Sequence, residues 1–486
     1  MSDSTTWPTP PAASPAPCSP VSSSSTPASP APSPPPPHSH LYLPSLPSPY
    51  RALADHPQPQ NPPAAAPQKP NRPNIISESP YNLIVVGGGA AGFFAAIHAA
   101  ENLAPDARVL ILEKSNHVLT KVKISGGGRC NVTHACFEPK TFATNYPRGH
   151  KSLIGPLHRW SATDTIDWFA SRGVGLKTEA DGRMFPTTDS SHTIIDCLTT
   201  AAHDANVKIR TATAAKSVTR KGSHFTLTTT KDELLETDHL LLATGGTRSP
   251  DGARLATSLG HTLSPAVPSL FTFTVDDPRI ANLQGLSVPA VQLTLPDLAP
   301  KLSTTGPLLV THWGLSGPAV LRLSAWAARE VHAASDTFTL QANFLPDTDV
   351  PARLADLRAT QPKRQLKTFS PFDPIPKRFW GRLLTAAAIP PDTTYAQLSK
   401  AHAQNLNTQL TAARFAITGK SMNKDEFVSC GGVHLREIDL RTMQSTITPN
   451  LYFAGEILDI DGVTGGFNFQ NAWTSAHLAA TAITSP

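Results

Sequence analysis

The feature that most constrains this chain is Gly87-Gly-Gly89-Ala-Ala-Gly92, a G-x-G-x-x-G run between an apolar strand pattern and an apolar helix pattern. Leu83-Ile-Val-Val86 is short and wholly apolar, as a strand buried on both faces must be. Residues from Ala90 to Glu101 read as a helix, and Arg108-Val-Leu-Ile-Leu-Glu113 as a second strand. Strand, helix and strand within about 30 residues form a βαβ unit with a parallel pair. Each glycine has a job. Gly87 permits the tight turn, Gly89 lets a pyrophosphate approach the backbone, and Gly92 lets helix and strand pack closely. Ala90 and Ala91 open the helix, whose free N–H groups and positive dipole end suit phosphates. Glu113, with Lys114 beside it, ends the second strand about 20 positions after the last glycine, where an acid can accept from the adenosine ribose hydroxyls. The alternative, a glycine turn without a ligand, leaves this combination of parts unexplained.

The fingerprint does not separate NAD from FAD. Two later strand ends do, by resemblance to flavoproteins of the disulfide-reductase-like fold. Leu242-Ala-Thr244-Gly245-Gly246 is similar to their ATG strand end. Tyr452-Phe-Ala-Gly455-Glu456 is similar to their distal FAD motif, whose acid binds a ribityl hydroxyl. That acid is more often Asp. Glu456 is one methylene longer, so Asp459 or Asp461 is expected to share or take the role.

Composition divides the 486 residues. Residues 1–78 hold about half of the 48 prolines, mixed with Ser and Ala. Pro34–Pro37 favours polyproline II, and the segment reads as a disordered, solvated tail. Docking to proline-recognition modules is the less favoured alternative. Met1–Pro20 has neither Lys or Arg nor an apolar run, unlike a signal peptide; Ser-rich organellar targeting stays open, although Arg is scarce and Pro frequent. Five cysteines, an odd number with no CxxC pair, argue against a disulfide framework or a metal site and fit a reducing cytoplasm. Leu83–Ala100 is interrupted by glycine, and the βαβ unit explains it better than a membrane span. A net charge of +5 neither requires nor excludes a polyanionic partner. Residues 266–425 read differently from their flanks. Val291–Leu295 and Thr337–Ala342 alternate like antiparallel strands; Pro376–Ala388 and Tyr395–Ala413 read as helices. The expected architecture is α/β: a Rossmann-type FAD-binding domain over 79–265 and 426–486, split by an inserted domain over 266–425.

Three stretches go further: Lys123-Ile-Ser-Gly-Gly-Gly-Arg-Cys-Asn-Val-Thr133, Thr311-His-Trp-Gly-Leu-Ser-Gly-Pro-Ala-Val-Leu321 and the run from Phe453 through Gly462-Val-Thr-Gly-Gly-Phe-Asn-Phe-Gln470. Together they resemble the BaiN/RdsA family of FAD-dependent oxidoreductases, which includes the YhiN-type proteins, over about 81–482. The resemblance implies a two-dinucleotide-binding flavoprotein fold interrupted by a β-barrel-like and helical domain. It implies FAD as cofactor and reduction of a C=C bond conjugated to a carbonyl, in a uridine of ribosomal RNA or a small steroid-like enone. NAD(P)H is the expected reductant, binding transiently because no second G-x-G-x-x-G occurs. A flavin oxidase of a small amine and a non-catalytic, FAD-stabilised interaction protein are the alternatives.

Within this frame, Ser125–Asn131 is expected over the FAD, with Gly127, Gly128, Arg129 and Asn131 at the cofactor. Arg129 would bind phosphate or a substrate carbonyl. Cys130 is a candidate proton donor to a substrate carbon, or simply a packed residue. A resolving partner at CxxxxC spacing is absent, since position 135 is Ala and Cys136 follows one later. His312 is a candidate acid or orienter, or a packed histidine. Thr464-Gly465-Gly466 followed by Phe467 and Asn468 reads as a glycine turn opening a helix, with backbone N–H groups near the flavin pyrimidine ring. Arg183 would bind an anionic substrate or lie in a solvated turn. Lys363-Arg364, Lys367 and Lys377-Arg378, interleaved with Phe369, Phe372, Phe379 and Trp380, form either an RNA-binding surface or a solvated face.

Overall fold

The computed structural model describes residues 79–421 and 428–485. The expectations for the tail over 1–78, and for a boundary at 425, lie outside the described residues. The first strand, β1 (Tyr81–Val86), leads through the glycine turn into α1 (Ala90–Asn102), and β2 (Val109–Leu112) returns parallel to it, Leu83 opposite Val109 and Val86 opposite Leu112. Leu83–Val85 and Leu110–Ile111 have no exposed surface, which is why these strands are apolar throughout rather than alternating.

Three further strands extend the parallel set. Leu234–Leu242 lies on the other side of β1, Lys208–Arg210 beyond β2, and Leu451–Phe453 beside Leu234–Leu242. The strand ends carrying Gly87, Thr244 and Ala454 therefore open along one edge. Antiparallel strands complete a nine-stranded sheet among the described residues. The C-terminal helix, Phe467–Thr484, packs on α1, with Phe94 and Trp473 rings 5.1 Å apart and His98 and His477 rings 4.9 Å apart.

The inserted region has its own core, running from Phe271 to Ile417. Its seven strands pair antiparallel in the order Ala413–Ile417, Phe338–Asn343, Ser287–Thr294, Ser303–Val310, Gly314–Ser316, Thr272–Thr274, Gly419–Ser421. The two outermost strands are consecutive in the chain with Thr418 alone between them, so the sheet curls until its ends meet, which makes it barrel-like. Helices including Val350–Thr360, Lys377–Ala386 and Lys400–Thr411 cover it. The chain enters along Leu263–Ser269 and leaves along Val428–Val433, which pair antiparallel. Arg148 joins the parts: it donates to Asp461 at 2.6 Å through Nε and to the Ala325 carbonyl at 2.6 Å.

The expected basic surface is only partly one. Lys363 and Arg364 are exposed, but Phe372, Phe379 and Trp380 are buried in the insertion core and offer no ring to a base. Arg364 stacks on Phe369 at 3.5 Å, and Lys367 pairs with Asp392 at 2.6 Å. No helix among the described residues is long and apolar enough to cross a membrane.

Candidate functional site

A cavity of about 520 Å³ opens where the parallel strands end. Gly87–Ala91 form its floor, Glu113–Ser115 one end, Thr244–Gly245 and Gly455–Glu456 its far wall, and Thr464, Asn468 and Phe469 the other end. The glycines divide the work. A Cβ on Gly87 (φ +119°) would lie 2.2 Å from the Ala243 carbonyl oxygen, and one on Gly92 1.9 Å from the Gly87 oxygen. These two are needed because backbone meets backbone. A Cβ on Gly89 meets nothing within 4 Å, so the space there is open to a ligand. Glu113 is held in place: Oε2 accepts from the Gly88 N–H and Oε1 from the Ser115 N–H, each at 2.8 Å. Each oxygen keeps lone-pair capacity for a further hydroxyl. Across the cavity, Glu456 accepts from the Ser429 N–H at 2.9 Å and pairs with Lys121 at 2.5 Å. The Thr244 hydroxyl, on the cavity wall, is buried with no hydrogen-bond partner. Helix N–H groups at a glycine floor, an acid at each side and an orphaned buried hydroxyl are the donor and acceptor set that a dinucleotide satisfies.

Residues 81–482 match the HI0933-like protein Rossmann domain. The chain belongs to the HI0933-like family. Such a chain is an FAD-dependent oxidoreductase with a Rossmann-type FAD-binding fold. It is 32% identical over 410 residues to a ribosomal RNA dihydrouridine synthase of Escherichia coli, covering 82% of this chain and 97% of that one. A protein of the same name from Haemophilus influenzae is 29% identical, covering 82% and 98%. A 3-dehydro-bile acid delta(4,6)-reductase of Clostridium scindens is 28% identical, again covering 82% and 98%.

In this HI0933-like chain the cavity gathers Gly87, Gly89, Ala90, Ala91, Glu113, Lys114, Thr244, Gly245, Gly455, Glu456 and Asn468 from the residues singled out by sequence. Gly92 lies beneath them as packing. Several others lie elsewhere. Asp459 accepts from Ser264 and Arg329, both at 2.8 Å, and lines a separate shallow cleft beside Arg148 and His434. Asp461 has no exposed surface and is taken by Arg148. Neither carboxylate lines the cavity, and each is paired with an arginine.

The stretch after the second strand is also rearranged. Helix Thr120–Gly128 breaks at Ser125, and Gly126–Gly128 turn left-handed, with Ser125 and Gly126 at the cavity but Gly127 and Gly128 away from it. Arg129 points to another cluster, stacked 3.9 Å over the Phe185 ring and paired with Glu179 at 2.6 Å and Asp189 at 3.4 Å. Arg183 pairs with Glu179 and Asp181 in the same cluster. Cys130 has no exposed surface, and burial pushes its thiol up to about 12. Cys130 is packed in the core and does not line the cavity. His312 is exposed in the turn between Ser303–Val310 and Gly314–Ser316, and does not line the cavity.

At the C-terminal turn, Gly465, Gly466 and Phe467 stand behind the cavity wall. The Gly466 N–H is engaged by Asn131, whose amide oxygen accepts it at 3.0 Å, and the Phe467 ring is buried. Asn131 therefore supports the wall rather than forming it. Sequence reasoning missed Lys121, Ser249 and Asp251. Lys121 lies just before the Lys123–Thr133 motif and meets Glu456 only through tertiary folding. Ser249-Pro250-Asp251 did carry a signal, since Ser before Pro with an early acid marks a helix start, here Pro250–Ser258. Lys114 reaches that start, donating to the Ser249 hydroxyl at 2.7 Å.

Proposed function

We propose that this chain binds FAD along the glycine-floored cavity and, with NAD(P)H as electron donor, reduces the C=C bond of a uridine in ribosomal RNA. The observation that carries the reading is that its relatives, covered almost end to end, are named for reducing two unlike molecules that share one electrophile: a C=C bond conjugated to a carbonyl. In this reading Glu113 accepts from the adenosine ribose, Gly89 and the N–H groups opening α1 hold the pyrophosphate, and Glu456 accepts from a ribityl hydroxyl while the Thr244 hydroxyl donates or accepts. Thr464 and Asn468 stand at the redox end, where the start of helix Phe467–Thr484 favours negative charge. Bound there, FAD would supply the hydride chemistry; NAD(P)H would give two electrons and one proton and solvent the second proton, which balances saturation of one C=C bond. Lys363 and Arg364, exposed on the inserted region, suit a phosphate backbone.

A steroid-like enone is the second reading, favoured by the bile acid reductase among the relatives. The test incubates the protein with NADPH and ribosomal RNA lacking dihydrouridine, then measures nucleosides by mass spectrometry. Dihydrouridine at a defined position supports the first reading. Its absence, with saturation of a steroid enone under the same conditions, supports the second; neither product contradicts both.

A further inference from the structure

Thr464 and Asn468 line the cavity, and between them Gly465 and Gly466 run at φ +135° and +94°. That turn sets where helix Phe467–Thr484 begins and which way its free N–H groups face. One short segment on the far side of the chain holds it. With the Asn131 amide assigned from its neighbours, its oxygen accepts the Gly466 N–H at 3.0 Å and its nitrogen donates to the Thr133 carbonyl at 3.0 Å. His134 Nδ1 lies 3.0 Å from the Gly465 carbonyl oxygen. A carbonyl only accepts, so Nδ1 carries the proton and donates it. The His134 ring stacks on Phe467, centroids 4.7 Å apart and 28° between planes. Its other edge is closed by Gly182 (φ +86°), where a Cβ would fall 2.5 Å from Nε2. The imidazole thus has one orientation, fixed from three sides, and its N–H ends on the carbonyl of the turn.

We propose that His134 is a positioning residue of the flavin site: by holding the Gly465 carbonyl it aims the start of the C-terminal helix into the cavity. The proposal rests on the reading that FAD occupies that cavity. A helix start held in register places N–H groups and the positive dipole end where charge develops on reduced flavin; a loose turn weakens the site for the reduced form more than for the oxidised one.

The experiment compares full-length wild type with His134→Leu, His134→Asn and His134→Gln, measuring the FAD dissociation constant and the two-electron midpoint potential. Leu keeps the bulk without a donor, Asn keeps an N–H at the reach of Nδ1, and Gln moves it toward the reach of Nε2. His134→Leu and His134→Gln are expected to lose about tenfold of the preference for reduced over oxidised FAD, a potential about 30 mV more negative. His134→Asn is expected to restore most of it. Should the Leu variant not fold, the contrast between Asn and Gln carries the test. A wild-type potential in the Leu or Gln variant, or an Asn variant shifted as far as Gln, would overturn the proposal while leaving the FAD reading intact. Wild-type protein that binds no FAD would overturn both.

Discussion

Gly87–Gly92 and Gly126–Gly128 are two glycine-rich stretches of one domain, and glycine is needed in them for different reasons. In the first, the protein's own backbone occupies the space a Cβ would take at Gly87 and Gly92, and Gly89 faces an open cavity. In the second, an added Cβ on Gly127 (φ +69°) or Gly128 (φ +83°) would also meet nothing within 4 Å, but the left-handed backbone there favours glycine. Asn131–His134 follow and meet the C-terminal turn. The first stretch floors the cavity; of the second, only Gly126 lines it.

Four predictions put weight on that difference. The largest effect is expected for Gly92→Val. The added atoms collide with the Gly87 carbonyl, neither backbone can yield, and loss of soluble folded protein on expression is the expected outcome. Gly89→Val comes next and should separate folding from binding. Its side chain enters open space, so circular dichroism and melting temperature stay near wild type while bound FAD falls by at least about a hundredfold, as expected when the pyrophosphate approach is blocked. Flavin content equal to wild type would contradict the assignment of the cavity.

Acid tests the helix that the first stretch opens. His98 in α1 packs against His477 and Trp160, and burial pushes its pKa down to about 3 and that of His477 to about 4. Both are neutral when folded, whereas the unfolded chain takes up protons below about 6.5. Their contribution is complete above that pH and is lost as pH falls toward the folded values, by up to about 1.4 kcal/mol per pH unit for each. Urea unfolding from pH 7 to 5 should show this loss, and a His98→Phe, His477→Phe double variant should flatten it. The smallest effect is expected for Gly127→Ala: about 1 kcal/mol of stability from the left-handed backbone, with flavin content unchanged. A loss of FAD there would break the contrast between the two stretches.

The same contrast explains what was legible in the sequence. β1, α1 and β2 were readable because their apolar runs and glycines are local consequences of being buried and turned. Glu113 was readable because the end of a strand fixes its place. Asp459 and Asp461 are not separable from Glu456 in the sequence, since nothing local shows that Arg329 and Arg148, far away in the chain, pair with them. Cys130 and His312 were ambiguous for a related reason: burial of the first and exposure of the second are decided by packing across the fold. His134 comes one residue after the Lys123–Thr133 motif, but its link to Gly465 spans 331 positions. Ring stacking and hydrogen bonds across such distances leave no periodicity behind.

The central claim is that electrons pass through FAD in this cavity to a C=C bond conjugated to a carbonyl. Anaerobic stopped-flow follows it directly, reducing the bound flavin with NADPH or NADH and then adding ribosomal RNA lacking dihydrouridine or a conjugated steroid enone. The account predicts rapid return of oxidised-flavin absorbance with one of these substrates in the absence of oxygen. Reoxidation by oxygen alone would contradict it and assign the chain to the oxidases.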